Sequence, residues 1–87
     1  MIVVFHRDFK KQHKRLSEKL RAQFFERLLL LRQNPLHPLL HNHQLSGAYQ
    51  GSWCINVTGD LRAVYDYVEN DVIQFTHIGT HHQLFGS

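Results

Sequence analysis

Apolar residues in this chain recur at helical spacing as far as Leu31 and at strand spacing from Trp53 onward. Leu20, Phe24, Leu28 and Leu31 stand at i, i+4, i+8 and i+11, and Phe25, Leu29 and Leu30 widen that stripe. This predicts an amphipathic helix over about residues 18–33, with Ser17 as N-cap, Glu18 in the first turn and Asn34-Pro35 as its stop. From Ser52 to Thr58 the order alternates, with Trp53, Ile55 and Val57 on one side and Cys54, Asn56 and Thr58 on the other. Thr58-Gly59-Asp60 and Glu69-Asn70-Asp71 are turn chemistry, so Leu61–Val68 and Val72–Ile78 read as two further strands. Helices followed by hairpin-linked strands read as an α+β chain.

The remaining segments complete the outline. Ile2–Phe5 is a β-branched and aromatic run, which predicts a short buried strand. Phe9, His13 and Leu16 fall on one stripe, giving a helix over residues 8–16 capped by Asp8 and joined at Leu16-Ser17 to the longer helix as an antiparallel hairpin. Residues 34–51 carry Pro35, Pro38, Gly47 and Gly51 and read as loop, with a brief strand near His43–Leu45. The expected fold is therefore α+β and two-layered: an N-terminal strand, a helical hairpin, then a three- to four-stranded antiparallel meander. The hairpin covers one sheet face and leaves the other face, or an edge, open. Eighty-seven residues make one domain, 1–87, with a small core. Cys54 is the single cysteine; it cannot pair internally, so the chain is expected in a reducing cytoplasm. No apolar run is long enough to span a bilayer, and no membrane partner is expected.

Charge is unevenly placed. Residues 1–21 hold Arg7, Lys10, Lys11, Lys14, Arg15, Lys19 and Arg21 against Asp8 and Glu18, while the rest of the chain is slightly acidic. That end suits a polyanion such as RNA, an acidic protein segment, or simply a solvated helix face. Eight histidines are many for this length. His37, His41 and His43 cluster around Pro38, which breaks helical ligand spacing. Even with His81 and His82 nothing fixes a metal geometry, so no metal or other cofactor is expected.

A dispersed set is more informative: His43, Asn56, Asp60, Arg62, His81, His82 and Phe85. In a meander these positions can converge at one end of the open face. Imidazoles and a carboxylate can move protons, a guanidinium can hold a phosphate, and an aromatic ring can stack on a splayed base. Those are the needs of metal-free RNA cleavage. Each residue also has a plain reading: Asp60 as turn former, Arg62 paired with Asp66 or Glu69, His81 as a cap, Phe85 as a core plug. Tyr49 and Trp53 can be functional aromatics, with core packing favoured for Trp53.

The stretches HNHQLSGAYQGSWCINVTGDLRAVYDY and FTHIGTHHQLFG resemble the RelE/ParE superfamily of small bacterial toxins, within it the YafQ-like branch. FKKQHKRLSEKLRAQFFERLLLLRQNP resembles that family's helical hairpin. The resemblance implies a toxin silenced by a cognate antitoxin. It also implies a metal-independent, ribosome-dependent endoribonuclease that cuts messenger RNA. By the family's motifs, His43 of HQLSG, Asp60 of the hairpin turn and His81 of GTHHQLFG are catalytic, and Phe85 is the aromatic four residues on. Arg62, Asn56 and His82 are expected to bind substrate, Arg62 on physical grounds alone. The chain departs from the pattern at Asn56, where a family histidine stands, at Leu61 in place of a tryptophan and at Trp53 in place of an arginine. Asparagine cannot exchange a proton near neutral pH, so that role is lost or transferred, with His82 as the candidate. The alternatives are a ParE-like toxin directed at gyrase, and a catalytically weakened toxin retained as an antitoxin-binding partner.

Overall fold

The computed structural model describes residues 1–86. Strand β1 (Ile2–Phe5) leads into helices α1 (Arg7–Lys14) and α2 (Glu18–Gln33). After two single 3-10 turns and a two-residue strand β2 (His43–Gln44) come β3 (Trp53–Asn56), β4 (Leu61–Glu69), β5 (Val72–Thr80) and a five-residue helix α3 (His81–Phe85). The strands form one sheet in the order β1-β5-β4-β3-β2. The four C-terminal strands are an antiparallel meander, as expected, and the brief strand at His43 is its edge. β1 joins on the far side, parallel to β5, with Ile2 opposite Val72 and Phe5 opposite Phe75.

Local signals explain most boundaries. Ser17 caps α2 through its hydroxyl, which accepts from the Leu20 amide at 3.2 Å. α1 starts earlier than Asp8, because the His6 ring nitrogen takes the cap, accepting from the Asp8 amide at 3.0 Å. His6 is free to do so because its own amide closes the β1–β5 ladder on the Phe75 carbonyl. α1 also stops at Lys14, not residue 16. Arg21 from α2 then donates to the Leu16 and Lys14 carbonyls and closes the turn between the helices.

The core lies between the helices and one sheet face. Phe9, Phe24 and Phe75 have ring centroids 5.2–5.6 Å apart, with Phe5 against the same group. Such pairs contribute roughly 0.5–1.5 kcal/mol each beyond the area they bury. Leu28, Leu31 and Leu40 join it from the helical side and Ile55, Val57, Leu61, Ala63, Tyr65, Ile73 and Ile78 from the sheet. The α2 stripe is narrower than its sequence suggests: Phe24, Leu28 and Leu31 are buried, whereas Phe25 is 58% and Leu29 43% exposed. One helix on one small sheet can bury only a single side, and both residues turn past its edge.

Two details set the sheet's C-terminal end. The β4–β5 register shifts between Val64 and Tyr65, opposite Thr76, and the displaced Ile78 amide donates to Gln12 of α1 at 2.8 Å. Gly79 lies so close to α3 that a Cβ there would meet Gln83 Oε1 at 3.0 Å and Leu84 at 3.5 Å. The Ile-Gly at the strand end therefore lets the short helix fold back on β5.

Candidate active site

Strand alternation sends Ile55, Ala63 and Ile78 to the core and Cys54, Asn56, Arg62, Val64 and His77 to the opposite face. That face is not left open. The loop after α2 and helix α3 lie over part of it, so that Cys54 and Val64 are fully buried. Between loop, sheet and helix remains a cavity of about 360 Å³, lined by His41, His43, Asn56, Arg62, His81 and Phe85, with Leu45, Ser46 and Cys54. His43 comes from the edge strand, Asn56 and Arg62 face each other across β3 and β4, and His81 and Phe85 share one face of α3.

Each group is held differently. His43 Nδ1 is 2.7 Å from the His41 carbonyl, and the two imidazole centroids are 4.7 Å apart. Arg62 pairs with neither Asp66 nor Glu69. Its guanidinium donates to the Thr58 carbonyl at 3.0 Å, and Asp66 instead accepts from the Ser52 hydroxyl. The guanidinium thus sits anchored to the β3–β4 turn at the cavity wall, with donors to spare for an anion. Asn56 Oδ1 is buried without a hydrogen-bond partner among the described residues. Such an atom costs about 1–3 kcal/mol until something donates to it. His81 is exposed, with its amide on the Asp60 carbonyl at 3.0 Å and its ring 5.0 Å from Phe85.

α3 is secured by a capping box. Thr80 Oγ1 accepts from the Gln83 amide at 3.1 Å, and Gln83 Oε1 accepts from the Thr80 amide at 2.8 Å. Phe85 also meets the edge of Tyr49 at 5.6 Å, and Tyr49 meets His77 at 5.4 Å. An aromatic row therefore runs from the loop across the sheet to α3.

Of the residues singled out from sequence, His43, Asn56, Arg62, His81 and Phe85 meet in this cavity, and Asp60 and His82 do not line it. Asp60 is exposed at the adjoining turn, tied to His81 through backbone. His82 follows His81 by one helical position and so turns away from the face that His81 shares with Phe85. His41, Leu45, Ser46 and Cys54 line it without having been put in the set, and Tyr49, a candidate functional aromatic, touches Phe85. The Cys54 thiol is pushed up to about 11 by burial, with Arg62 opposing. Among the described residues no group of three His, Cys, Asp or Glu side chains could hold a metal ion. Trp53 is half-buried against the core, edge-on to Tyr67.

Comparison with known proteins places this arrangement. The family model for the bacterial toxin of type II toxin–antitoxin systems, YafQ, matches residues 1–86. The chain belongs to the YafQ family of toxins. YafQ from E. coli strain BL21(DE3) superposes with a TM-score of 0.73 at 23% identity, covering 97% of each chain. YafQ in the E. coli DinJ–YafQ toxin–antitoxin complex gives 0.71 at 24%, over 97% of this chain and 96% of that one. The YoeB/ParE toxin from Agrobacterium tumefaciens gives 0.75 at 16%, over 93% and 99%. At these identities the structural likeness establishes a shared fold. No curated protein sequence gives a significant match. Among the described residues no helix is long and apolar enough to cross a membrane.

Proposed function

We propose that this toxin is a metal-independent endoribonuclease that cuts messenger RNA on the ribosome, in the cytoplasm, and is silenced by a cognate antitoxin. The observation that carries the reading is the meeting of His43, Arg62 and His81 at one cavity from three distant chain segments. One imidazole takes the proton of a ribose 2′-hydroxyl, the 2′-oxygen attacks the phosphorus, and the second imidazole protonates the departing 5′-oxygen. Arg62 offers charge to the phosphoryl oxygens, and Phe85 offers a ring face to a neighbouring base. Asp60, whose backbone carbonyl holds the His81 amide at the rim, serves to orient that residue, and His82 extends the contact to phosphates.

The antitoxin is assigned to the other side of the molecule. Phe5, Phe9, His13, Phe24 and Phe25 line an apolar groove of about 690 Å³ over α1 and α2, with Lys10 and Arg21 at its walls. An amphipathic segment carrying carboxylates fits that surface. The complex of DinJ with YafQ supports a cognate antitoxin as partner.

The test is induction of the wild type and of His81→Ala and His43→Ala variants, followed by primer extension on a translated message. Wild type should arrest growth with discrete cuts, and each variant should lose on the order of 10²–10⁴-fold in cleavage. Equal cutting by all three would refute the assignment. Arrest with intact messages and damaged DNA would move the chain to the gyrase-directed class.

A further inference from the structure

We propose that His41 is a positioning residue: its left-handed backbone sets His43 as the Nδ1–H tautomer, leaving Nε2 as the basic nitrogen presented to the cavity. Among the described residues His41 is the only non-glycine with a positive φ, at φ 44° and ψ 47°. Side chains disfavour this region, so a residue stays there only when its surroundings hold it. Here both neighbours are clamped. Leu40 is wholly buried in the core. Asn42 accepts from the Tyr65 hydroxyl at 2.8 Å and donates to the Pro35 carbonyl at 3.3 Å. Burial keeps the Tyr65 hydroxyl protonated far above neutrality, although its bond to Asn42 pulls the other way, so this donor is permanent. The His41 amide itself donates back to the Pro38 carbonyl.

The outcome of that conformation is the 2.7 Å contact between the His41 carbonyl and His43 Nδ1. A carbonyl oxygen can only accept, so Nδ1 must carry the hydrogen. In the neutral ring Nε2 then holds the lone pair, and no other group among the described residues bonds to it. Unconstrained neutral imidazole side chains favour the opposite tautomer, so the backbone reverses the default. Once Nε2 has taken a proton, the same carbonyl stabilises the imidazolium, the part a carboxylate plays in a hydrolase triad.

For the chemistry this separates two roles that composition leaves open, and this consequence rests on the nuclease reading above. The 2′-hydroxyl proton moves to His43 Nε2, the new bond forms between the 2′-oxygen and phosphorus, and the bond from phosphorus to the 5′-oxygen breaks. The 5′-oxygen then receives its proton from the imidazolium of His81 across the cavity.

The tautomer is read directly from two-bond ¹H–¹⁵N correlations of labelled full-length protein at a pH where the ring is neutral, with His43→Gln for assignment. The expected result is His43 as the Nδ1–H form, and an Nε2–H pattern overturns the proposal whether or not the protein cuts RNA. His41→Gly keeps both the left-handed backbone and the carbonyl, so tautomer and cleavage should persist. His41→Val disfavours that backbone; His43 should shift toward Nε2–H and kcat should fall on the order of ten-fold with KM little changed. If His41→Gly retains the tautomer yet loses cleavage, the ring and not the backbone matters, and the proposal fails.

Discussion

Helix α3 holds two of the cavity's residues on a single turn, so its stability should set how often the site is assembled. It has five residues, none fully buried, and a helix this short has little stability of its own. What holds it is the reciprocal pair of bonds between Thr80 and Gln83 and the close approach over Gly79. Thr80→Ala removes the hydroxyl that accepts from the Gln83 amide, a loss of about 1 kcal/mol for a typical N-cap. A one-turn element at the edge of a fold lies at the low end of local stability, where closed forms exceed frayed ones by about 1 kcal/mol. On that scale the closed share falls from about five-sixths to about one-half, since 1 kcal/mol is roughly a five-fold change in the ratio. Message cleavage should then fall about two-fold. The Thr80→Ala/Gln83→Ala double variant should leave about one-sixth closed and cut roughly five-fold less. Thr80→Ser keeps the bond and should behave as wild type.

Hydrogen exchange supplies the independent measure. The Gly86 amide bonds to the His82 carbonyl at 2.8 Å and closes the C-terminal end of α3. Its exchange should accelerate about three-fold in Thr80→Ala, as the open share rises from about one-sixth to about one-half. Core amides of β4 and β5 should exchange as before, and thermal unfolding should hardly move. Faster exchange at Gly86 with undiminished cleavage would show that placing His81 and Phe85 has no bearing on activity. A large drop in melting temperature would show that α3 belongs to the core, contrary to its exposure.

Three further outcomes are expected. At pH 8 a thiol pushed up to about 11 is ionised in only about one molecule per thousand, and Cys54 is also buried; iodoacetamide should label it far more slowly in folded than in urea-unfolded protein, and equal rates would contradict its placement. His13, stacked on Phe9 at 5.6 Å, has its pKa lowered by burial first and by Arg21 second. The unfolded chain therefore binds its proton more readily, so the His13 contribution is complete above about pH 6.5 and is lost as pH falls through the lower folded value; His13→Leu should flatten that part of a stability–pH curve measured by urea unfolding, and an unchanged slope would refute it. Phe25, 58% exposed on the groove over α1 and α2, should anchor the antitoxin; Phe25→Glu should weaken the complex by about 1.5–3 kcal/mol in titration calorimetry while leaving cleavage by free toxin intact, and undiminished affinity would put the antitoxin elsewhere.

What was legible in the sequence and what was not divides along physical lines. α2 and strands β3 to β5 could be read because hydrophobic period and turn chemistry are local signals, and Leu28, Ile55 and Phe75 are buried as that period demands. The partner of β1 could not be read: nothing in Ile2–Phe5 encodes a parallel register with residues seventy positions away, and only shared packing of Phe5 with Phe75 selects it. α3 is too short to show a period, yet its capping box was present as Thr80-x-x-Gln83. Had that been read, the i, i+4 rule would have put His81 with Phe85 and sent His82 elsewhere. Asn56 and Arg62 were reachable by alternation, since cross-strand partners share a face. His41 was not, because what places its carbonyl is a φ angle imposed by burial of Leu40 and the clamp on Asn42, and backbone conformation at a single residue leaves no trace in composition or spacing. The role that Asn56 cannot fill does not pass to His82, which does not line the cavity, and His41 contributes there through the backbone carbonyl that holds His43.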